Sequence, residues 1–246
     1  MNKKIVAVIE ARMGSTRLPG KVLLKVRGKQ MLERLVNRIK SIPLINEIVL
    51  ATTSNQKDNI LEKFSIENNI KCYRGSEQDV LSRVIEAGLE NKADIIVEIT
   101  GDCPIIDPNI VKNAINLYLN NQVDYVSNVE IRSYPDGMDV QVYSLTTLMN
   151  SADLTKDSLD REHVTLFIRK HPELYTRIDM IAPKELHWPE LGLTLDENND
   201  FLLLSKIINK LEPINENFDC HEIIKYLKNN EDLLKINSNV KRKGPF

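Results

Sequence analysis

The sequence predicts an α/β fold built on a mainly parallel sheet. Two observations carry that reading. Short, continuous β-branched runs recur at 5–9, 47–52, 70–73 and 93–99, and each gap between them holds apolar residues at helical spacing. The opening run Ile5-Val6-Ala7-Val8-Ile9 has no polar alternation, the mark of a strand covered on both faces. A polar loop with two glycines follows at 10–21. Residues 31–42 place Leu32, Leu35, Val36 and Ile39 on one helix face. Ile48-Val49-Leu50 centre the second strand, 55–68 is a polar helix with Ile60, Leu61 and Phe64 on one side, and 70–73 is a short third strand. Residues 77–90 turn Val80, Leu81, Val84 and Ile85 inward, and 93–99 is the fourth strand. A β-α-β-α-β-α-β order gives helices on both faces and right-handed crossovers. Ligands then bind outside the carboxyl ends of the strands, so the loops after Ile9, Thr52, Tyr73 and Ile99 are where a site belongs.

The second half is less regular. Helices are expected at 109–119, 160–171, 201–211 and 221–229, and strands at 123–126, 139–143, 174–181 and 191–195. No repeat or low-complexity linker divides the chain, so one domain is expected over 1–236, with halves at about 1–125 and 126–236. Residues 237–246 form a basic tail ending Lys241-Arg242-Lys243-Gly244, the pattern of a solvated, partly ordered terminus.

Composition narrows the classes. Lys+Arg number 33 against 35 Asp+Glu, which argues against bulk nucleic-acid binding, since that needs a basic surface. No apolar stretch approaches the ~18 residues of a membrane span. The apolar run 5–9 is too short for a signal-peptide core. Three scattered cysteines, Cys72, Cys103 and Cys220, point to reduced thiols and a cytoplasmic location, and none forms a zinc-binding pair.

The loop Glu10-Ala11-Arg12-Met13-Gly14-Ser15-Thr16-Arg17-Leu18-Pro19-Gly20-Lys21 crowds three cations, two glycines and two hydroxyls at a strand exit. Glycines let backbone N–H groups converge on an anion, and arginine forks and a lysine neutralise polyphosphate. The spacing fits neither a Walker A loop nor G-x-G-x-x-G. A plain solvated loop is the alternative, disfavoured because so many cations repel one another without an anion.

Residues 12–21 resemble the signature loop of the sugar nucleotidyltransferases, in particular the cytidylyltransferases that activate acidic sugars: CMP-KDO synthetase, acylneuraminate cytidylyltransferase and, nearest, the SpsF-like branch. Arg74-Gly75-Ser76-Glu77-Gln78-Asp79, Thr100-Gly101-Asp102-Cys103-Pro104, Pro135-Asp136-Gly137-Met138-Asp139, Arg161-Glu162-His163-Val164-Thr165 and Leu193-Thr194-Leu195-Asp196 follow in that branch's order, spanning about 5–210. The resemblance implies a three-layer α/β/α, Rossmann-like nucleotide-diphospho-sugar transferase fold with a small α+β acceptor and dimerisation lobe. It implies transfer from CTP to an acidic sugar or similar acceptor with release of pyrophosphate, in surface-polysaccharide precursor synthesis, by a Mg2+-dependent homodimer.

Carried over residue by residue, Arg12, Lys21 and Asp102 become the catalytic set. Ala11, Arg12, Met13, Gly14, Ser15, Arg17, Lys21, Thr52, Arg74 and Gly101 become nucleotide-binding, with Thr52 and Arg74 at the base. Arg17 either joins the phosphates or pairs with a carboxylate of a helix behind, and Arg74 has an ion pair with Glu77 or Asp79 as its alternative. Asp102 and Asp196 become the metal carboxylates. Asp196 lacks the family's nearby proline and could instead cap a helix, with Asp200 as a competitor for that role; Asp107, before Pro108, fits a cap. Asp136, Asp139, Arg161 and His163, with Arg132 as a further candidate, fall to the acceptor, although a His at a helix start is commonly structural. Trp188 is read as an edge or interface anchor, and Cys103 as a small buried residue.

Two other classes share such a fold. A glycosyltransferase would release free nucleotide rather than pyrophosphate, and commonly carries an Asp-x-Asp where this chain has a single Asp102. A non-catalytic nucleotide-binding module would bind without turnover. Nothing at Thr52 or Arg74 separates CTP from another triphosphate.

Overall fold

The computed structural model describes residues 3–242. The opening run forms β1 (Ile5–Glu10) at the centre of the sheet. A one-turn 3-10 helix (Lys21–Leu23) ends the following loop, and a two-residue hairpin, β2 (Lys25–Val26) with β3 (Lys29–Gln30), leads into α1 (Met31–Lys40). Alternation of strand and helix then runs as expected: β4 (Glu47–Thr53), α2 (Asn59–Glu67), β5 (Lys71–Gly75), α3 (Val80–Glu90), β6 (Ile95–Thr100) and α4 (Pro108–Asn120). β7 (Tyr125–Ser127), β8 (Gln141–Ser144) and β9 (Arg177–Asp179) complete a seven-stranded sheet in the order β5-β4-β1-β6-β8-β7-β9. β1 pairs in parallel with β4 and β6, β4 with β5, and β7 with β9; β8 alone runs against its neighbours.

Strand alternation sends Ile5, Ala7 and Ile9 to one face and Val6 and Val8 to the other. The first face packs on α1, α2 and α4, and on α8 (Asn198–Leu211) and α9 (Cys220–Lys228). The second packs on α3, α5 (Leu145–Leu154) and α7 (Leu166–Lys170). The fold is therefore three-layered, α/β/α, around a mainly parallel central sheet, as the resemblance implied.

Three expectations are corrected. The helix read over 160–171 is two short ones, α6 (Ser158–Glu162) and α7, because Val164 takes a left-handed φ of 44° and turns the chain between them. Residues 191–195 form no strand: a single bridge, Asp136 to Gly192, replaces it. α5 was not foreseen. Leu145, Leu148, Met149 and Ala152 stand at helical spacing behind its N-cap, Ser144 Oγ, which accepts from Thr147 N at 2.9 Å.

The tail also departs from the solvated reading. Asn237 is buried and Arg242 reaches back into the molecule, while Lys243 and Gly244 lie outside the described residues.

Candidate active site

Strand order decides where the crevice opens. The chain moves outward from β1 to β4 and β5, then returns to β6 on the other side of β1. The crevice of such a sheet lies at this switch point, beyond the carboxyl ends of the two strands. There the structure has a cleft of about 800 Å³ lined by Ala11, Arg12, Ser15, Arg17, Lys21, Gly101, Asp102, Asp136, Asp139, His163 and Asp196, among others.

The loop after β1 is held from behind. Buried Asp58 accepts from Met13 N at 2.7 Å and also takes the Thr53 hydroxyl. Gly20 N donates to Met13 O at 3.1 Å. Gly101 N donates to Glu10 O at 2.8 Å, and a Cβ at residue 101 would meet that oxygen at 2.7 Å and Ala11 Cβ at 2.8 Å. Only a glycine lets the Asp102 turn approach the cationic loop this closely.

Lys21 Nζ lies 2.8 Å from Asp102 Oδ2 and 2.9 Å from Asp196 Oδ1. The two acids, far apart in sequence, thus converge on one cation. Burial disfavours charge on both Lys21 and Asp102, but their mutual attraction outweighs it. The ammonium is held above its ordinary range and the Asp102 carboxyl below its own. Asp196 is free for this role because Glu197 and Asp200 close the cap of α8 between them, Asp200 accepting from Asp196 N at 3.1 Å and Glu197 N at 2.9 Å. Asp107 caps α4, as its position before Pro108 implied, accepting from Asn109 N at 2.8 Å.

Arg17 follows its second reading, with Nη2 2.9 Å from Asp196 and Nη1 3.7 Å from Glu197. Arg12 lines the cleft and pairs with Glu77 at 3.1 Å. Ser15 Oγ accepts from Leu18 N at 3.3 Å and faces the same space.

Several expected site residues stand elsewhere. Met13 and Gly14 shape the loop without lining the cleft. Thr52 is fully buried and faces no cleft. Arg74 spans Thr53 O, Asn55 O and Glu62 at 3.1, 2.9 and 3.0 Å, bracing the turn after β4; its partner is neither Glu77 nor Asp79. Arg161 grips Asp79, with Nε 3.0 Å from each carboxylate oxygen, and so ties α6 to the start of α3 instead of facing an acceptor. His163 does reach the cleft, from the turn that Val164 creates. Asp136 and Asp139 line it with Arg132, which lies 2.8 Å from Asp139 and 3.6 Å from Asp136. Burial pushes the Asp139 carboxyl up to about 6 even against that guanidinium. Cys103 is buried, and its thiol is pushed far up by that burial, which fits a packing role.

Sequence reasoning passed over an acidic pair in the cleft floor. Glu10 lines the cleft with Oε1 buried and unpartnered, and its carboxyl lies against the buried Glu98 of β6. Burial pushes Glu10 up to about 7, and burial together with the nearby Glu10 charge raises Glu98 well above its ordinary range. Gln141 Nε2 donates to Glu98 at 2.8 Å, and the Tyr143 hydroxyl donates to it as well. The available signal was a charged residue in each of two otherwise apolar runs, 5–10 and 95–99.

A parallel-sheet nucleotidyltransferase fold, with cations and two acids converging at its switch point, defines a class of nucleotide-handling proteins. Comparison with known proteins narrows it. Residues 6–238 match the cytidylyltransferase family, and the chain belongs to that family. The spore coat polysaccharide biosynthesis protein SpsF of Bacillus subtilis is 32% identical over 233 residues, covering 93% of this chain and 95% of its own. An uncharacterised protein of Methanocaldococcus jannaschii is 34% identical over 241 residues, 98% and 97% of the two chains. The solved structure of a cytidylyltransferase from Leptospira borgpetersenii superposes with a TM-score of 0.90 at 28% identity, covering 99% of this chain and all of its own.

Proposed function

We propose that the chain transfers a cytidylyl group from CTP to an oxygen of a small acidic sugar-like acceptor, releasing pyrophosphate, in surface-glycan precursor synthesis. The observation that carries this is Lys21 Nζ shared by Asp102 and Asp196 beside the cationic loop. Lys21 and Arg12 neutralise the triphosphate, with Arg17 joining once a ligand competes for it, and Ser15 and the loop backbone donate to phosphate oxygens. Asp102 and Asp196 fit Mg2+, which takes one or two carboxylates plus phosphates and waters; bound there, the ion would stabilise charge on the α-phosphate. The loop backbone is fixed before the reaction, so its amides stabilise developing charge with little reorganisation, while Lys21 passes from the two carboxylates to the phosphates. Asp136, Asp139 and His163 bound the side where the acceptor sits; Arg161, spent on Asp79, is not among its ligands.

The test is a pyrophosphate-release screen of CTP, UTP, GTP and ATP against a panel of acidic sugars with Mg2+. CTP-dependent release with one class of acceptor is expected. Release of free nucleotide from a sugar nucleotide, without pyrophosphate from CTP, would refute the reading.

A further inference from the structure

Asp196 sits on residues 191–200, which lack strand pairing beyond the Gly192 bridge. One flank is held by backbone: Leu195 N donates to Asp102 O at 2.8 Å and Leu193 N to Asp136 O at 2.7 Å. The other flank is held by the C-terminal tail. Asn237 Nδ2 donates to Gly192 O and to Asp200 Oδ1, both at 2.9 Å. Arg242 donates to Asp200 Oδ1 at 2.7 Å and to Thr194 Oγ1 at 2.9 Å, and stands 3.7 Å from Asp136 and 3.8 Å from Asp196 Oδ2. Arg17 donates to Lys241 O at 3.2 Å, so the tail meets the cationic loop as well.

The seat for this guanidinium is specific. A Cβ at residue 192 would lie 2.0 Å from Arg242 Nη2, so a side chain there would push the guanidinium out of this position. Its main partner, Asp200, is fully buried and holds the backbone N–H of Asp196 with its other oxygen. A buried carboxylate needs a charge partner, and Arg242 supplies it. We propose that Arg242 is a positioning residue: through Asp200 and Thr194 it fixes the carboxylate of Asp196 for metal-bound nucleotide. The inference rests on the reading of Asp102 and Asp196 as metal carboxylates. It makes the tail part of the active site.

Calorimetric titration of the protein with CTP, with and without Mg2+, tests this. R242A is expected to weaken Mg2+-dependent CTP binding about tenfold, the usual effect of losing a residue that supports a metal ligand, and to leave metal-free CTP binding unchanged. R242K should recover most of the loss. G192A, which blocks the seat without altering the arginine, should match R242A, and the double variant should be no weaker than either. R242K and G192A decide the matter if R242A fails to fold. Equal affinity in R242A and wild type overturns the proposal, as does an equal loss with and without Mg2+. Wild-type protein that binds no CTP with Mg2+ overturns the metal-site reading together with it; wild-type binding that R242A leaves untouched removes only the role of the tail.

Discussion

At the scale of single residues, the site depends on one ammonium and two carboxylates. On the proposed reading K21A removes the cation beside the phosphates and D102N a carboxylate that would hold Mg2+, so each should lower pyrophosphate release by about 10²–10³-fold. Circular dichroism should stay that of the folded chain; a rate within error of wild type in either variant would remove the assignment. Glu10 gives a separate test. Its folded carboxyl, at about 7, stands above the unfolded value of 4.5. The stability it contributes is complete below pH 4.5 and is lost as pH rises through about 7. E10Q should therefore flatten that decline and stabilise the protein by about 2 kcal/mol at pH 8, with little change at pH 4. Urea melts at the two pH values measure it, and an unaltered slope would refute it. The place of Lys21 at the cleft was legible in sequence because it closes the cationic loop at the exit of the first strand. The Glu10–Glu98 pair was not, because their meeting depends on the register of β1 against β6, which places Glu98 beside Val8.

At the scale of elements, the cationic loop stays shaped because something behind it is rigid. Asp58, in the 3-10 turn Gln56–Asp58 ahead of α2, holds Met13 N and Thr53 together. D58A leaves a buried amide and hydroxyl without their acceptor. It should cost about 1–3 kcal/mol in chemical denaturation and raise the KM for CTP more than it lowers kcat. A stability loss with an unchanged KM would show that the loop keeps its shape unaided. The seven alternating elements from β1 to β6 were readable because short continuous apolar runs mark the strands and apolar residues at helical spacing mark the helices. The later ones resisted reading for physical reasons. Val164 breaks a helix at a β-branched residue, where no glycine announces the turn. α5 starts from a serine cap directly after β8, with no loop between them to mark the change of element. The segment carrying Asp196 is held by side chains from the far end of the chain instead of by strand pairing. The partners of Arg74 and Arg161, Glu62 and Asp79, were not legible because a motif fixes position along the chain and only packing fixes partners.

At the scale of the molecule, Lys21 joins three regions that the chain keeps apart: the first loop, the turn after β6 and the segment before α8. In a protein without ligand, that ammonium is an internal counterion. It keeps two like charges from pushing their supports apart, so the folded state does not wait for a metal to arrive. Chelation with EDTA should leave the melting temperature of the wild-type protein unchanged. K21A, stripped of its resident cation, should be less stable by about 2 kcal/mol and should regain part of that loss when Mg2+ is added. A wild-type chain that lost stability under EDTA would show the opposite dependence. A divalent ion entering alone must evict a tethered charge, whereas one entering with a triphosphate offers that charge a new partner; arrival as a pair is the inexpensive route, and an idle pocket stays proof against stray cations.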